Sequence, residues 1–233
     1  MGVLLLAYEL FGVGIPNIPP VTLGFIALNT AIYLRLLRIA RSVGHACVSF
    51  HHVFQLGQWR RVVLAPFFHL DSMHLYFNMV SFLWKGRTLE RRFGGRKFFI
   101  IIVMFAVLSQ LLLLAMNFAL SILLFNRSYL TTCAAGFSAV IFALKVLTTQ
   151  NMWQETVSVL GLPITVPAQF ACWVELVLIS ILVPNASFTG HLAGILVGMA
   201  FVNGPLHKFV NVIDRKVAYH LGKNSLQKSN ILS

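Results

Sequence analysis

The sequence predicts an all-α membrane protein in which six helices cross the bilayer. Of the 233 residues, 58% are hydrophobic and only 10% are charged, whereas a soluble domain carries about 25% charged residues. Residues 98–126 contain no charged side chain, and about 20 apolar residues suffice to span a hydrocarbon core of roughly 30 Å. Residues 176–206 also lack Asp, Glu, Lys and Arg. Two stretches of this length and composition exclude an ordinary soluble domain.

The apolar segments divide the chain into three parts. Residues 1–17 are predicted to form a short apolar helix that lies along the membrane and ends at Gly14, before a run of prolines. Residues 18–205 form the six-helix membrane domain, and residues 206–233 form a basic cytosolic tail. The fourth and sixth spans are short and rich in small residues, which is typical of helices surrounded by protein. The six predicted spans are residues 20–37, 67–85, 98–125, 132–147, 168–183 and 187–203.

The net charge of +12 indicates contact with lipid headgroups rather than with nucleic acid, because the Lys and Arg residues lie between the spans. Six spans leave both termini on one side, and that side carries 12 of the 18 Lys and Arg residues. The positive-inside rule therefore places both termini in the cytosol. Residues 38–66 then form a long lumenal loop, and the glycosylation sequons at Asn126 and Asn185 lie on the lumenal side.

Three cysteines, Cys47, Cys133 and Cys172, are scattered along the chain. An odd number at irregular spacing predicts neither a disulfide framework nor a thiolate metal site. Histidines 51, 52, 69 and 74 offer an alternative metal site. No carboxylate or thiolate joins them at a regular spacing, so no metal and no cofactor are predicted.

Ser138 follows Gly136 and Phe137 at the start of a short apolar helix. A serine in a membrane helix usually donates a hydrogen bond to the backbone carbonyl one turn back. This structural role is the alternative to a role as nucleophile. The glycine lets the backbone turn or pack closely just before the serine. A serine at the start of a helix also directs its own N–H toward an incoming oxyanion. Ser138 is therefore the candidate nucleophile.

His191 is the candidate base, although a lone membrane histidine is more often a packing residue. His191, Gly194 and Gly198 are spaced by three and four residues, so they share one helical face. Glycines on that face let another helix approach closely. If that helix is the fourth span, His191 meets Ser138, and Phe142 can stack on the imidazole. No acid is placed to orient the histidine, so the prediction is a Ser–His dyad rather than a triad.

Two polar residues of the second span are candidates for stabilising an oxyanion. His74 and Asn78 are four residues apart, hence on one helical face, and both can donate hydrogen bonds. The alternative is a polar helix end near water.

Trp59-Arg60 is typical of an interfacial anchor. Glu175 lies within the fifth span, where the sequence leaves open whether it is buried and bonded or reaches the loop.

Taken together, these residues resemble the rhomboid family of intramembrane serine proteases. The resemblance covers the six-span core, 18–205, and depends on Trp59-Arg60, on His74 with Asn78, on Gly136-Phe137-Ser138, and on His191 with Gly194 and Gly198. Runs such as His74-Leu75-Tyr76-Phe77-Asn78 and Phe170-Ala171-Cys172-Trp173-Val174-Glu175 resemble the endoplasmic-reticulum subgroup of that family.

The resemblance implies a six-helix rhomboid-like bundle in the endoplasmic-reticulum membrane, with Ser138 as nucleophile and His191 as general base. It implies oxyanion binding by His74, Asn78 and the Ser138 N–H. The implied substrates are transmembrane proteins that are unstable or destined for degradation, and degradation machinery is an implied partner.

One departure from the family pattern is Ala139, where glycine usually follows the serine. The extra methyl group favours an alternative, a catalytically inactive rhomboid-like protein that binds membrane clients for degradation. A small transporter or channel is a further alternative. It would predict paired buried charges or repeated halves, and the sequence shows neither.

Overall fold

A computed structural model describes residues 1–150, 152, 154–159 and 162–229 of the chain, and this part is predominantly helical. Short 3-10 segments cover Ile15–Asn17 and Ala65–Phe67, and a π-helical turn covers His51–Gln55. The α-helices are, in chain order, α1 (Gly2–Val13), α2 (Pro20–Tyr33), α3 (Val43–Ala46), α4 (Arg60–Leu64), α5 (Ser72–Phe93), α6 (Gly95–Leu123), α7 (Ser128–Thr131), α8 (Ser138–Thr149), α9 (Ala168–Leu182), α10 (Phe188–Asn203) and α11 (Leu206–Ser229).

Each predicted span overlaps one of these helices, namely α2, α5, α6, α8, α9 and α10 in that order, and α5 runs eight residues beyond the predicted limit. Within the described residues, α6 is long and apolar enough by itself to cross a membrane. The helix α10 together with Leu206–Leu221 meets the same criterion, but the two parts are bent by 74°. At 1.5 Å per residue, α5 is about 33 Å long, and its last turns carry charged residues from Lys85 to Arg92.

Aromatic side chains fill the centre of the bundle, where α2, α5, α6 and α8 meet. Phe82 of α5, Phe98 and Phe105 of α6, and Phe137 just before α8 are fully buried. The ring of Phe137 lies 5.1 Å from that of Phe82 in an edge-on arrangement, which is the geometry that aromatic pairs prefer. Phe137 therefore anchors the residue that precedes Ser138.

Side-chain carboxylates hold both ends of α5. Asp71 accepts hydrogen bonds from the backbone N–H groups of Met73 and His74 at 2.8 and 2.9 Å, which satisfies donors that a helix leaves free at its start. At the far end, buried Glu90 accepts from the N–H groups of Val21 and Thr22 at 2.9 and 2.7 Å and from the Thr22 hydroxyl at 2.8 Å. The start of α2 is thus fastened to the end of α5.

The N-terminal helix differs from its prediction. It ends at Gly14 as expected, but it runs beside α5, whereas the prediction had it lying along the membrane. A Cβ at Gly2 would overlap the carbonyl oxygen of Ser72. At the other end, Arg91 donates to the carbonyl oxygen of Asn17 at 3.2 Å. The buried side chain of Leu6 explains this placement, because it joins the central core.

We call the end of the bundle where α5, α8 and α10 begin the serine end. Gly2 lies there, whereas Arg96 and Asp214 form an ion pair of 2.6 Å at the opposite end, between α6 and α11. Gly2 and Asp214 therefore lie at opposite ends of the bundle, an arrangement that differs from the expectation that both termini lie on one side. The count of six spans assumed that residues 1–17 do not cross the membrane. The contacts of Gly2 and Asn17 show that this segment extends along the length of α5.

A small β-hairpin occupies the segment that was expected to be an irregular loop between the fourth and fifth spans. Strand β1 (Gln154–Val159) pairs antiparallel with strand β2 (Leu162–Pro167), from Gln154 opposite Pro167 to Val159 opposite Leu162. The β-branched residues of both strands favour this pairing. The all-α prediction is corrected to that extent.

The cysteine prediction is also wrong. Cys47 and Cys133 form a disulfide across 86 residues of sequence, and Cys172 is a buried free thiol. The backbones of Val48 and Ala134 exchange two hydrogen bonds of 2.8 and 2.9 Å beside the disulfide. This local pairing brings the two sulfur atoms together, and spacing in the sequence carries no sign of it.

The position of α1 predicts the sidedness of the chain ends. A glycosylation tag placed before Met1 and another placed after the last residue are expected to lie on opposite sides of a microsomal membrane, because α1 and the six following apolar helices make seven crossings. Only one of the two tags should gain glycan that an endoglycosidase removes. Tags with Asn→Gln in the sequon are the controls. Modification of both tags, or of neither, would contradict the placement of α1.

The bonds of Glu90 predict its contribution to stability. Glu90→Ala removes three hydrogen bonds to a charged acceptor and leaves one buried and one part-buried N–H group unpaired, so the free energy of unfolding should fall by about 3 kcal/mol. Thr22→Val removes only the hydroxyl bond and should cost about 1 kcal/mol. Denaturant unfolding of the purified protein measures both values. Equal losses for the two variants would show that the carboxylate does not fasten α2.

Candidate functional site

Ser138 is the first residue of α8 and is half-buried. The chain turns into this helix at Gly136, whose φ of 123° lies in a region that favours glycine. The N–H of Gly136 donates to the carbonyl oxygen of Ala65 at 3.0 Å, which holds the turn against the 3-10 segment Ala65–Phe67. Because the first N–H groups of a helix have no partner within it, the Ser138 amide is free of an intrahelical bond.

His191 lies in the first turns of α10, and its Nε2 is 2.9 Å from Ser138 Oγ. Its ring stacks on Phe142, with centroids 4.6 Å apart and planes 27° apart. The stacking expected from the sequence is therefore confirmed. The imidazole is buried, and Nδ1 has no hydrogen-bond partner among the described residues. The ring is oriented by packing rather than by a carboxylate.

Two glycines allow this contact between α8 and α10. A Cβ at Gly194 would overlap the carbonyl oxygen of Ala139, and a Cβ at Gly198 would lie 2.7 Å from the carbonyl oxygen of Ala143. The two backbones therefore touch, as expected for glycines on one helical face. Ala139 is buried, and Gly194 meets its backbone atoms. The Ser138–His191 distance is that of a hydrogen bond.

His74 lies beside the same turn. A Cβ at Gly136 would be 2.8 Å from His74 Nε2 and 4.0 Å from Ser138 Oγ, so both side chains border one small space. Asn78, one helical turn further along α5, is buried, and its Nδ2 donates to the His74 carbonyl oxygen at 2.7 Å. That bond uses one of the two N–H groups of the amide. The structure thus brings His74 beside Gly136 and Ser138, and Asn78 lies one turn further along α5, bonded to the His74 carbonyl.

The remaining histidines form no metal centre: among the described residues no group of three or more His, Cys, Asp or Glu could hold a metal ion. His69 packs edge-on against His74, with ring centroids 5.1 Å apart, and is buried. His52 lies in the 38–66 loop, where its Nδ1 is 2.7 Å from Ser49 Oγ. Burial, together with the positive charge of Arg61, lowers the pKa of His52 and favours its neutral form.

Arg61 is a buried, hydrogen-bonded arginine that the sequence alone did not single out. Trp59 is half-exposed against Phe54 and Arg60 is exposed, as expected of an interfacial pair. Arg61 is instead buried, and its Nη1 donates to the carbonyl oxygens of Gly44 and Cys47, each at 2.8 Å. A buried guanidinium must be bonded. The sequence does carry one sign of this role: a second arginine follows Trp59-Arg60, and an interfacial anchor needs only one.

Glu175 on α9 is paired with Lys145 on α8 at 3.1 Å. Both side chains are largely buried, with 8% of Lys145 and 26% of Glu175 exposed. The sequence left the surroundings of Glu175 open, and the pair was not predicted because its members are 30 residues apart on two helices. The pair connects the helix that carries Ser138 to α9.

Comparison with known proteins agrees with the site. Residues 56–205 match the family model described as Rhomboid domain. The chain is 43% identical over 226 residues to Rhomboid-related protein 4 of Mus musculus, which covers 97% of this chain and 70% of that protein. It is 46% identical over 209 residues to Rhomboid-related protein 4 of Homo sapiens, covering 90% of this chain and 65% of that protein. Rhomboid-like protein 14, mitochondrial, of Arabidopsis thaliana is 38% identical over 192 residues, covering 81% of this chain and 57% of that protein.

The chain therefore spans about two thirds of the length of these mammalian relatives. The family model covers more than half of the chain and includes all four predicted site residues. The chain belongs to the rhomboid family of membrane proteins.

Proposed function

We propose that this chain is an intramembrane serine protease that cleaves membrane-anchored proteins with a Ser138–His191 dyad. The observation that carries the proposal is the 2.9 Å contact between Ser138 Oγ and His191 Nε2 in a member of the rhomboid family. A hydroxyl at this distance from a neutral imidazole can lose its proton as it attacks a carbonyl carbon.

The reaction is acyl transfer followed by hydrolysis. Ser138 Oγ bonds to the scissile carbonyl carbon while its proton passes to His191 Nε2. As the tetrahedral intermediate collapses, His191 returns that proton to the leaving amine, and the substrate acyl group remains on Ser138. Water then attacks the ester, with His191 again accepting a proton. Phe142 keeps the imidazole plane fixed throughout, a task that an acid performs in a triad.

In this mechanism three donors stabilise the oxyanion. The Ser138 N–H is at the start of α8, where the helix leaves donors free. His74 contributes a ring N–H, and Asn78 contributes the amide N–H that is not bonded to the His74 carbonyl. Donors of this kind stabilise the charge that develops in the transition state, and each typically contributes about 10²–10³ in rate.

Seven helices would cross the endoplasmic-reticulum membrane, namely α1, which runs beside α5, and the six helices of the predicted spans, α2, α5, α6, α8, α9 and α10. The serine end would face the lumen and α11 would lie in the cytosol. The disulfide near the serine end supports this orientation, because disulfides persist in oxidising compartments. The clients would be transmembrane proteins handed to degradation machinery during protein quality control. A substrate helix must unwind to expose its carbonyl, so spans with Gly, Pro or polar residues are favoured.

The inactive alternative depends on Ala139, and the geometry does not favour it. The sequence left open whether the extra methyl group crowds the approach of α8 and α10 or is absorbed locally. Gly194 contacts the Ala139 backbone, and Ser138 Oγ and His191 Nε2 lie within hydrogen-bonding distance. A client-binding protein would not need this contact.

Probe labelling tests the nucleophile and the effect of Ala139 together. A fluorophosphonate probe should label the native protein and Ala139→Gly at rates within about threefold of each other, because the dyad is already assembled. Ser138→Ala should remain unlabelled and should not cleave a membrane-anchored substrate. Equal labelling of native protein and Ser138→Ala would overturn the nucleophile assignment. Labelling and cleavage that appear only in Ala139→Gly would favour the inactive alternative.

The close approach of α8 and α10 predicts the effect of Gly194→Ala. The added methyl group must displace one backbone, and a misplacement of about 1 Å can cost as much as 10²-fold in rate. We expect probe labelling of Ser138 to slow by at least tenfold. Gly24→Ala is the matched control, since a Cβ at this helical glycine of α2 meets nothing within 4 Å. Similar labelling rates for the two variants would show that the α8–α10 contact does not set the dyad geometry.

A further inference from the structure

The disulfide Cys47–Cys133 joins the 38–66 loop to the segment that leads into the serine helix. Cys133 lies five residues before Ser138 and three before Gly136. Nothing in the proposed reaction uses either sulfur atom. The disulfide is nevertheless a covalent cross-link between distant parts of the chain, and it lies close to the turn at which the catalytic helix begins.

Backbone bonds continue the attachment toward Ser138. Val48 and Ala134 exchange hydrogen bonds of 2.8 and 2.9 Å, and the Gly136 N–H donates to the Ala65 carbonyl oxygen at 3.0 Å. The segment 133–136 is therefore held by the 38–66 loop at three successive points. Only the disulfide among these three can be opened by a chemical change that leaves the sequence intact.

Arg61 makes the loop side of the attachment rigid. Its guanidinium donates to the carbonyl oxygens of Cys47 and Gly44 at 2.8 Å and to Gln58 Oε1 at 2.6 Å. Arg61 itself is buried, so these bonds are not exchanged freely with water. Cys47 is thus fixed on the loop, and it passes that constraint to Cys133 through the disulfide.

Movement of segment 133–136 would change the oxyanion site directly. The space above Gly136 is bordered by the His74 ring, at 2.8 Å from a Cβ placed there, and by Ser138 Oγ. A shift of the Gly136 turn would move the Ser138 N–H relative to His74. The packing of His191 on Phe142 lies one helical turn further into α8 and would be less affected.

We propose that Cys47 and Cys133 are positioning residues of the protease: their disulfide fixes the turn before Ser138, and its reduction by a dithiol converts the enzyme to a low-turnover form. The inference rests on the proposed function. In the reduction, a thiolate of the dithiol attacks Sγ of the exposed Cys133 and releases Cys47 as a thiol. The second thiol of the reductant then frees Cys133 and closes its own disulfide, so two electrons and two protons pass to the protein.

The experiment uses the full chain in lipid vesicles with a membrane-anchored substrate, before and after dithiothreitol. On reduction, the kcat of native protein should fall about tenfold, while KM should change less than twofold. Reoxidation should restore kcat. Cys47→Ser, Cys133→Ser and the double variant should all show the reduced rate without reductant and should not respond to it. Equal losses in the single and double variants are expected because each change breaks the same bond. Cys172→Ser, which removes the buried free thiol of α9, should behave as native protein.

Two measurements separate positioning from simple loss of fold and from failure of the proposed function. Thermal unfolding of the reduced protein should show that it remains folded at the assay temperature, so the lower kcat belongs to folded enzyme. A loss of turnover that merely follows loss of folded protein would overturn the positioning role. Full Ser138-dependent turnover in reduced native protein would overturn this inference alone. An oxidised protein that shows no Ser138-dependent cleavage would overturn the proposed function, and the inference with it.

Discussion

The backbone contact between α8 and α10 is the constraint on which the rest of the site depends. Gly194 lies directly on the Ala139 carbonyl, so no side chain separates the two helices at the level of the dyad. Packed interiors transmit small displacements instead of absorbing them. The separation of these two backbones therefore sets the distance between Ser138 and His191, and the stacking on Phe142 sets the direction of the imidazole.

Around this contact, buried polar side chains connect elements that are distant in sequence. Glu90 binds the start of α2, Arg61 binds carbonyls of the 38–66 loop, and Lys145 pairs with Glu175. An unpaired charge in such surroundings would cost several kcal/mol, so each of these groups is bonded. Their common effect is to fix helix ends and loops, while the aromatic core fills the middle of the bundle. The serine end is consequently built on elements that are held from several directions.

The structure agrees with the sequence where the pattern is local and differs where it depends on distant partners. All six apolar segments overlap the expected helices, and the spacing of His191, Gly194 and Gly198 correctly placed them on one face toward α8. The disulfide, the role of Arg61 and the ion pair of Glu175 were missed. Each joins residues from different elements, and a single sequence carries no record of which elements meet.

By itself, the sequence determined the apolar character of the helices, their approximate limits and the residue types able to carry acyl-transfer chemistry. Tertiary structure alone decided that α1 runs beside α5, that Cys47 reaches Cys133, and that Ser138 and His191 lie at bonding distance. The physical reason is that hydrophobic periodicity acts within a few turns of one helix. Distances between helices are instead set by which small residues allow two backbones to touch.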